Sequence, residues 1–216
     1  MKKAIITSLF LMLVCTVDAQ KLTEAEKAIV ASGTRTTMMR VLQVTNTADA
    51  KVLKSPSIDV SLKDESLPLL LDRMLATMTD PTNTGVGIAA PQIGINRNMI
   101  LVQRFDKPGE PIEEYLNPKI KWKSALMRKG AEGCLSIPDL REDVLRHYTI
   151  QITYYDRNGK FYDEMVEGFT AVIFQHETDH LMGILFPDRL EQQKATGYAL
   201  VNGEVNFYLE HKLKRN

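Results

Sequence analysis

The sequence predicts an α+β fold, with mostly antiparallel strands around a central helix that carries a His-Glu-x-x-His (HExxH) motif at residues 176–180. Alternating apolar residues at 149–155 and 161–166 flank Asn158-Gly159, a pair typical of hairpin turns. A second hairpin is predicted around Asn202-Gly203. Between the hairpins, an apolar segment begins near Phe169 and ends before Pro187, which predicts a helix. Strands and helices in mixed order are typical of the α+β class.

The first half of the chain predicts four further elements in order. Residues 41–44 are expected to form a short strand and residues 48–53 a loop. Ser66 is expected to cap a helix that extends to Met78, because apolar residues recur there at spacings of three and four. Residues 100–102 form an apolar run that predicts a buried strand.

Composition limits the classes of protein to consider. The 216 residues suit a single domain, and a hydrophobic content of 44% is enough for a packed core. Lys and Arg together number 27, as do Asp and Glu, and basic residues form no long cluster. We therefore expect no binding to nucleic acid by the domain itself.

Residues 1–19 resemble a cleaved export signal. Two lysines precede an apolar run at residues 4–14 that is too short to span a bilayer, and small residues precede Gln20. We expect residues 1–19 to be a signal peptide, residues 20–38 a polar spacer and residues 39–216 the catalytic domain. The mature protein would be exported to the periplasm or cell envelope, without a stable membrane span. If translation starts at Met38 or Met39 instead, the protein would be cytoplasmic; Cys15 also leaves lipid attachment open.

The residues of the motif suggest metal-dependent hydrolysis. His176 and His180 lie four residues apart, so a helix would aim both imidazoles at one metal ion. Glu177 would act as general base toward the attacking water and then as acid toward the leaving amine. A catalytic metal needs a third protein ligand, and Cys134, the only cysteine beyond the signal, could supply it. Gln92 and backbone N–H groups near Cys134 are candidates to stabilise the oxyanion.

Two other interpretations are compatible with these residues. A metallopeptidase of the zincin kind would share the helix motif but take its third ligand downstream, where Glu191 is the nearest carboxylate. An exported protein that binds metal or peptide without turnover could also keep the same side chains.

Three segments resemble those of the peptide deformylase family. Residues 85–92, Gly-Val-Gly-Ile-Ala-Ala-Pro-Gln, resemble its first motif, with Ile88 where leucine is usual. Residues 132–136, Glu-Gly-Cys-Leu-Ser, match its second motif, and residues 175–186 match its third. The order and spacing agree, and the resemblance extends from about Met39 to Leu190.

The resemblance implies an enzyme that removes the formyl group from formyl-methionyl peptides or nascent polypeptides, with the ribosome as a partner in the cytosol. It implies a metal ion held by Cys134, His176 and His180, most often Fe²⁺, with Ni²⁺, Co²⁺ or Zn²⁺ able to occupy the site. An export signal does not suit work on nascent chains, so the resemblance leaves the cellular substrate open.

The resemblance also implies roles for individual residues. Glu177 is the base and acid, while Gln92 and the N–H of Leu135 bind the oxyanion. Three residues are expected to bind the substrate, namely Gly87, Ile88 and Arg146. Apart from the resemblance, Glu132 and Asp179 are expected either to orient neighbouring groups or to be ordinary solvated or salt-bridged carboxylates.

Overall fold

The computed structural model describes residues 19–82 and 85–211. Its helices are α1 (Glu24–Ala31), α2 (Thr47–Leu53), α3 (Leu67–Met78), α4 (Gly168–Leu181) and α5 (Phe186–Lys194). Its strands are β1 (Gly87–Ala89), β2 (Met99–Gln103), β3 (Ile112–Lys123), β4 (Leu126–Cys134), β5 (Ile137–His147), β6 (Thr149–Tyr155), β7 (Phe161–Glu167), β8 (Gly197–Asn202) and β9 (Phe207–His211). One turn of 3-10 helix, Ala90–Ile93, follows β1.

The strands form two antiparallel sheets that both contact α4. The five-stranded sheet has the order β1-β2-β3-β6-β7, and the four-stranded sheet has the order β5-β4-β9-β8. Every ladder within these sheets is antiparallel. Helix α4 packs against β1, β2 and β7 of the first sheet and β5 of the second. The predicted α+β class, with antiparallel strands around a central helix, is confirmed.

Strand β2 lies between two helices, which explains why its residues are apolar without alternation. Met99 and Leu101 belong to the apolar cluster that includes α3. Ile100 and Val102 point to the opposite face, into the cluster that includes Phe174 of α4. All four side chains are buried, so the predicted buried strand is confirmed and both faces of the sheet are covered.

Two expectations in the first half of the chain were wrong. Residues 41–44 pair with no strand of the described sheets; instead, Leu42 N–H donates to Gln92 O (2.7 Å) and Val44 N–H to Ser136 O (3.0 Å). Residues 48–53 lie in α2 rather than in a loop. The Asn46 side chain accepts from the N–H groups of Ala48 and Asp49, and this cap starts the helix.

The segment expected to be one long helix after Phe169 is two helices. Helix α4 ends at Leu181, and Gly183 follows with a φ of +70°. A Cβ at Gly183 would lie 2.5 Å from the carbonyl oxygen of Lys54, so the chain must turn there with a glycine. Helix α5 then begins at Phe186, with Pro187 in its first turn.

Both predicted hairpins are present, with longer connections than two residues. Tyr155 pairs with Phe161, so residues 156–160 form the first turn, and the Asp156 carboxylate accepts from the N–H groups of Asn158 and Lys160. In the second hairpin, Asn202 pairs with Phe207. Side-chain acceptors therefore stabilise wider turns than the dipeptides alone indicated.

Residues 20–38, expected to be a polar spacer, pack against the body of the domain. Leu22 and Val30 are 3% and 1% exposed and lie in the cluster that includes α3. The guanidinium of Arg73 in α3 donates to the carbonyl oxygens of Ile29, Val30 and Thr37. The expected signal peptide lies outside the described residues, apart from Ala19. Within the described ranges, no helix is both long and apolar enough to cross a bilayer.

We predict that Leu22→Ala lowers the free energy of unfolding by about 2–4 kcal/mol, because it leaves a cavity in the core. Urea unfolding of protein that begins at Gln20 would measure the change. Ile29→Ala is the matched control, since Ile29 is 41% exposed on the neighbouring helix and should change the free energy by less than about 0.5 kcal/mol. Equal, small effects of both substitutions would mean that this segment is dispensable.

Candidate metal centre and active site

Two elements bring three potential metal ligands together. Helix α4 carries His176 and His180 one turn apart, and β4 ends at Cys134, which faces them. The sulfur of Cys134 lies 3.3 Å from Nε2 of His180. One donor atom from each of the three residues lies within 4.8 Å of the other two.

The donor set fits a divalent transition metal. A tetrahedral ion bound at the usual bond lengths would hold its ligand atoms about 3.3–3.8 Å apart, a range that includes the 3.3 Å between Cys134 Sγ and His180 Nε2. One sulfur and two imidazole nitrogens suit zinc and the neighbouring first-row metals, and three protein ligands leave one position open. Glu191, the alternative third ligand, lies on the surface of α5 and pairs with Lys194 at 2.5 Å.

The electrostatics of this cluster favour the thiolate. Burial disfavours the charged sulfur, but His180 and His176 outweigh that cost and lower the pKa of Cys134 to about 5. His176 responds in the opposite sense: burial disfavours its cation, yet Cys134 and Glu132 raise its pKa well above the usual value. A deprotonated cysteine is the form that binds a metal.

Glu177 lies next to these ligands and against the backbone of Gly87. It is buried, and its Oε2 has no hydrogen-bond partner in the described part of the chain. A Cβ on Gly87 would lie 2.4 Å from Oε1 of Glu177 and 2.8 Å from the side chain of Ile173. Burial raises the pKa of the Glu177 carboxyl to about 7, although the two histidines oppose the shift. Gly87 therefore makes room for a carboxylate that is available to bind a proton.

Gln92 is held in one orientation beside Cys134. Its Oε1 accepts from Ala89 N–H (2.8 Å), which leaves Nε2 to donate to Ser136 Oγ (3.3 Å) and toward Cys134 Sγ (3.5 Å). Leu135 follows directly in the wall of the same cleft, and its carbonyl oxygen accepts from Gln43 Nε2 (3.0 Å). The amide of Gln92 is thus a fixed donor next to the metal ligands.

A buried chain of ion pairs orients His176. Glu132 accepts from Nδ1 of His176 (2.9 Å) and from Nε and Nη2 of Arg146 at 2.7 and 2.9 Å. Arg146 also donates to Asp179 (2.5 Å), which pairs further with Arg189 of α5. Arg146 is only 4% exposed, and its guanidinium is paired with two buried carboxylates. The expectation that Arg146 binds substrate was therefore wrong. Glu132 and Asp179 are both salt-bridged, and Glu132 also contacts the ring of His176.

A cleft of about 890 Å³ opens in front of the metal ligands. Gly87, Gln92, Cys134, Leu135, His176 and Glu177 all line it. Ile88, also expected at the substrate, does not, because its side chain is fully buried in the cluster that includes α3. The sequence analysis missed several side chains that line the cleft, including Val86, Leu140, Arg141, Phe169, Val172 and Ile173. The helical spacing of Phe169, Val172, Ile173 and His176 was the available signal for part of this wall.

The chain is similar to proteins of one family over most of its length. A profile described as polypeptide deformylase matches residues 17–196. A peptide deformylase of Caulobacter sp. is 42% identical over 156 residues, covering 72% of this chain and 89% of the relative. A peptide deformylase of Synechocystis sp. is 38% identical and covers 69% and 80%.

Solved structures agree. The Met-Ala-Ser-bound class I type b peptide deformylase of Acinetobacter baumannii superposes with a TM-score of 0.65 at 37% identity, over 71% of this chain and 99% of that one. The Thermotoga maritima enzyme gives 0.63 at 33% identity. The matched profile, the curated relatives and the shared fold all lead to one assignment: the chain belongs to the peptide deformylase family of metal-dependent hydrolases, which remove N-formyl groups.

Proposed function

We propose that Cys134, His176 and His180 hold the metal of this deformylase and that Glu177 transfers the proton during hydrolysis. The observation that carries the proposal is the position of Glu177. Its carboxylate is buried beside the three donor atoms, its Oε2 lacks a partner within the described residues, and a glycine backbone faces it. A buried carboxylate without a fixed partner costs stability, which a catalytic role explains.

The chemistry follows from what surrounds the formyl group. When bound, the divalent metal supplies Lewis acidity toward water and the formyl oxygen. Glu177 takes a proton from the attacking water as the new C–O bond forms. Glu177 then delivers a proton to the nitrogen as the C–N bond breaks, which releases formate and the free α-amino group. One water is consumed, and no oxidant or reductant is needed.

Gln92 stabilises the negative charge that develops on the formyl oxygen. Its Nε2 lies 3.5 Å from Cys134 Sγ, and the Ala89 N–H holds the other end of the amide in place. We assign the second donor to the backbone N–H of Leu135, which is adjacent to the metal ligand. Donors fixed before the reaction need no reorganisation in the transition state.

The substrate we propose is a peptide that begins with formyl-methionine. The Acinetobacter baumannii relative was solved with Met-Ala-Ser bound, a peptide that begins with methionine. In this chain the cleft has an apolar wall of Phe169, Val172 and Ile173, which suits a methionine side chain. The backbone of Gly87 would pair with the extended peptide.

We propose Fe²⁺ as the metal in the cell, with Ni²⁺, Co²⁺ and Zn²⁺ as possible replacements. A thiolate and two imidazoles are suitable ligands for all four ions. Geometry among the described donors does not select one of them, so metal supply and redox conditions decide.

We propose that the protein is exported after cleavage before Gln20 and acts on free formyl-peptides rather than on nascent chains at the ribosome. The residue pattern of positions 1–19 supports export. The packing of Leu22 and Val30 supports a start upstream of Gln20, because a start at Met38 or Met39 would remove both from the core. An enzyme made from Met38 would instead meet nascent chains in the cytosol.

We predict that protein from Gln20 onward, loaded anaerobically with Fe²⁺ or Ni²⁺, releases formate from formyl-Met-Ala-Ser. Glu177→Gln should lower kcat by about a hundredfold to ten-thousandfold, because it removes the proton acceptor. Metal content, measured by mass spectrometry, should stay at one ion per chain in the variant. Unchanged turnover in Glu177→Gln would show that another group moves the proton. If only Zn²⁺-loaded protein, and not Fe²⁺-loaded protein, released formate, iron would be the wrong metal.

We predict that Gly87→Ala lowers kcat/KM by about a hundredfold, since the added methyl group must displace Glu177 or Ile173. Gly130→Ala is the matched control, because nothing lies within 4 Å of a Cβ at Gly130 on β4. Formate release and unfolding by urea would be measured for both variants. If both lose the same activity, the effect comes from strand stability and not from crowding of Glu177.

We predict that the full-length chain, expressed in a Gram-negative host, is recovered from the periplasm with its N terminus at Gln20. Cell fractionation and mass spectrometry of the intact protein would measure this. A cytoplasmic protein that retains residues 1–19, or begins near Met38, would contradict export. Replacing Lys2 and Lys3 by glutamate is the control, because it removes the positive region of the signal.

A further inference from the structure

A second groove adjoins the catalytic cleft. It has a volume of about 470 Å³ and lies between β5, α5 and the beginning of β8. Its apolar lining includes Leu140, Leu145, Leu190 and Tyr198. Leu140 lines both this groove and the catalytic cleft, so the two are continuous across one side chain.

In the second half of β5, side chains and not a strand bond the backbone groups of the outer edge. Only β4 pairs with β5 in the four-stranded sheet. On the other side, Leu145 N–H donates to Gln193 Oε1 (3.1 Å) and Gln193 Nε2 donates to Leu145 O (2.7 Å). Gln175 makes the same pair of bonds with His147, at 3.0 and 2.8 Å. Two glutamine side chains thus take the place of a neighbouring strand.

The first half of this edge is open. The pairing of β4 with β5 is regular from His147 to Glu142, so the outward N–H and C=O groups alternate and recur at Asp143. Among the described side chains and strands, none pairs with these groups of Asp143. Asp143 lies between the glutamine-bonded part of β5 and the cleft, alongside the apolar groove.

We propose that this groove and the open edge at Asp143 bind the downstream residues of a formylated peptide. The inference rests on the proposed function, because it requires the peptide's N terminus to lie at Glu177. Residues 138–141 bulge out of the β4–β5 ladder, because Glu132 pairs with Glu142 while Cys134 pairs with Ile137, and Leu140 on this bulge lines both the cleft and the groove. An extended peptide advances about 3.3 Å per residue, so residues beyond the third would reach the groove, and an apolar side chain there would be covered.

Because the groove adjoins the catalytic cleft at Leu140, the substrate peptide is the ligand that we expect to fill it. An extended chain leaving the cleft at Leu140 meets an unpaired backbone edge and an apolar lining in the same direction. The enzyme should accordingly favour peptides of at least five residues over tripeptides, provided that an apolar residue lies near position five.

The test compares three N-formyl peptides with the same first three residues, Met-Ala-Ser. One ends there, one continues with four serines, and one has leucine at position five among serines. We expect the leucine peptide to have a KM about fivefold to tenfold lower than the other two, with kcat unchanged. Tyr198→Ser and Leu190→Gln should abolish that advantage while tripeptide turnover stays the same. Leu200→Ser is the matched control, because Leu200 is 58% exposed on β8 and does not line the groove.

The outcomes separate the two proposals. If the wild-type chain turns over none of the peptides, the proposed function fails. If it turns over the tripeptide but the three KM values agree, the function stands and the distal site is wrong. An advantage of the leucine peptide that survives both groove substitutions also overturns the site. Sedimentation of the unliganded protein tests whether a second copy of this chain fills the groove instead. A dimer that Tyr198→Ser dissociates would assign the groove to that second copy and overturn our proposal.

Discussion

The contact on which the candidate metal centre depends is the buried guanidinium of Arg146 between two carboxylates. Glu132 comes from the strand that carries Cys134, and Asp179 comes from the helix that carries both histidines. One planar cation therefore ties the two elements that supply the ligands. Breaking a buried pair on one side leaves an uncompensated charge, which costs about 3–5 kcal/mol. The relative position of Cys134 and His180 is thus set by an interaction that touches neither of them.

Helix α4 can hold so many polar groups because its surroundings satisfy nearly all of them. Gln175 bonds the backbone of His147, Thr178 bonds the carbonyl oxygen of Phe174, and Asp179 pairs with two arginines. Strands of both sheets cover most of the helix, and only the side with Phe169, Val172 and His176 opens to the cleft, so most of these polar side chains have no access to solvent. Glu177 and His180 each keep one atom without a partner in the described protein, and both atoms belong to residues of the metal centre. Polar residues that are otherwise costly in a core therefore concentrate the chemistry on one helix.

The fold class and the placement of His176 and His180 on one side of a helix could be predicted because both depend on local spacing, and Cys134 was a candidate ligand because it is the only cysteine beyond the expected signal. Apolar alternation revealed β6 and β7, and the four-residue separation of His176 and His180 needs only a helix. The errors concern residues whose partners are distant in sequence. Arg146 donates a hydrogen bond to Asp179, 33 positions away in the sequence. The side chain of Ile88 packs in the cluster that includes α3 instead of facing the cleft. Residues 20–38 look polar, yet Leu22 and Val30 pack in the cluster with α3, and Arg73 of α3 bonds the backbone of the same segment. Such pairings become visible only when the strands are placed.

The glutamines on the edge of β5 also affect how readily copies of this chain could aggregate through that edge. An unpaired strand edge is a template on which another chain can add, and such edges promote aggregation. Gln193 and Gln175 occupy the amides of Leu145 and His147, so only a short stretch remains that another backbone could join. That stretch is too short for stable sheet growth between copies, which require several consecutive residues. The protein can therefore present an accessible stretch of β5 beside its cleft without offering a long template for sheet growth along that strand.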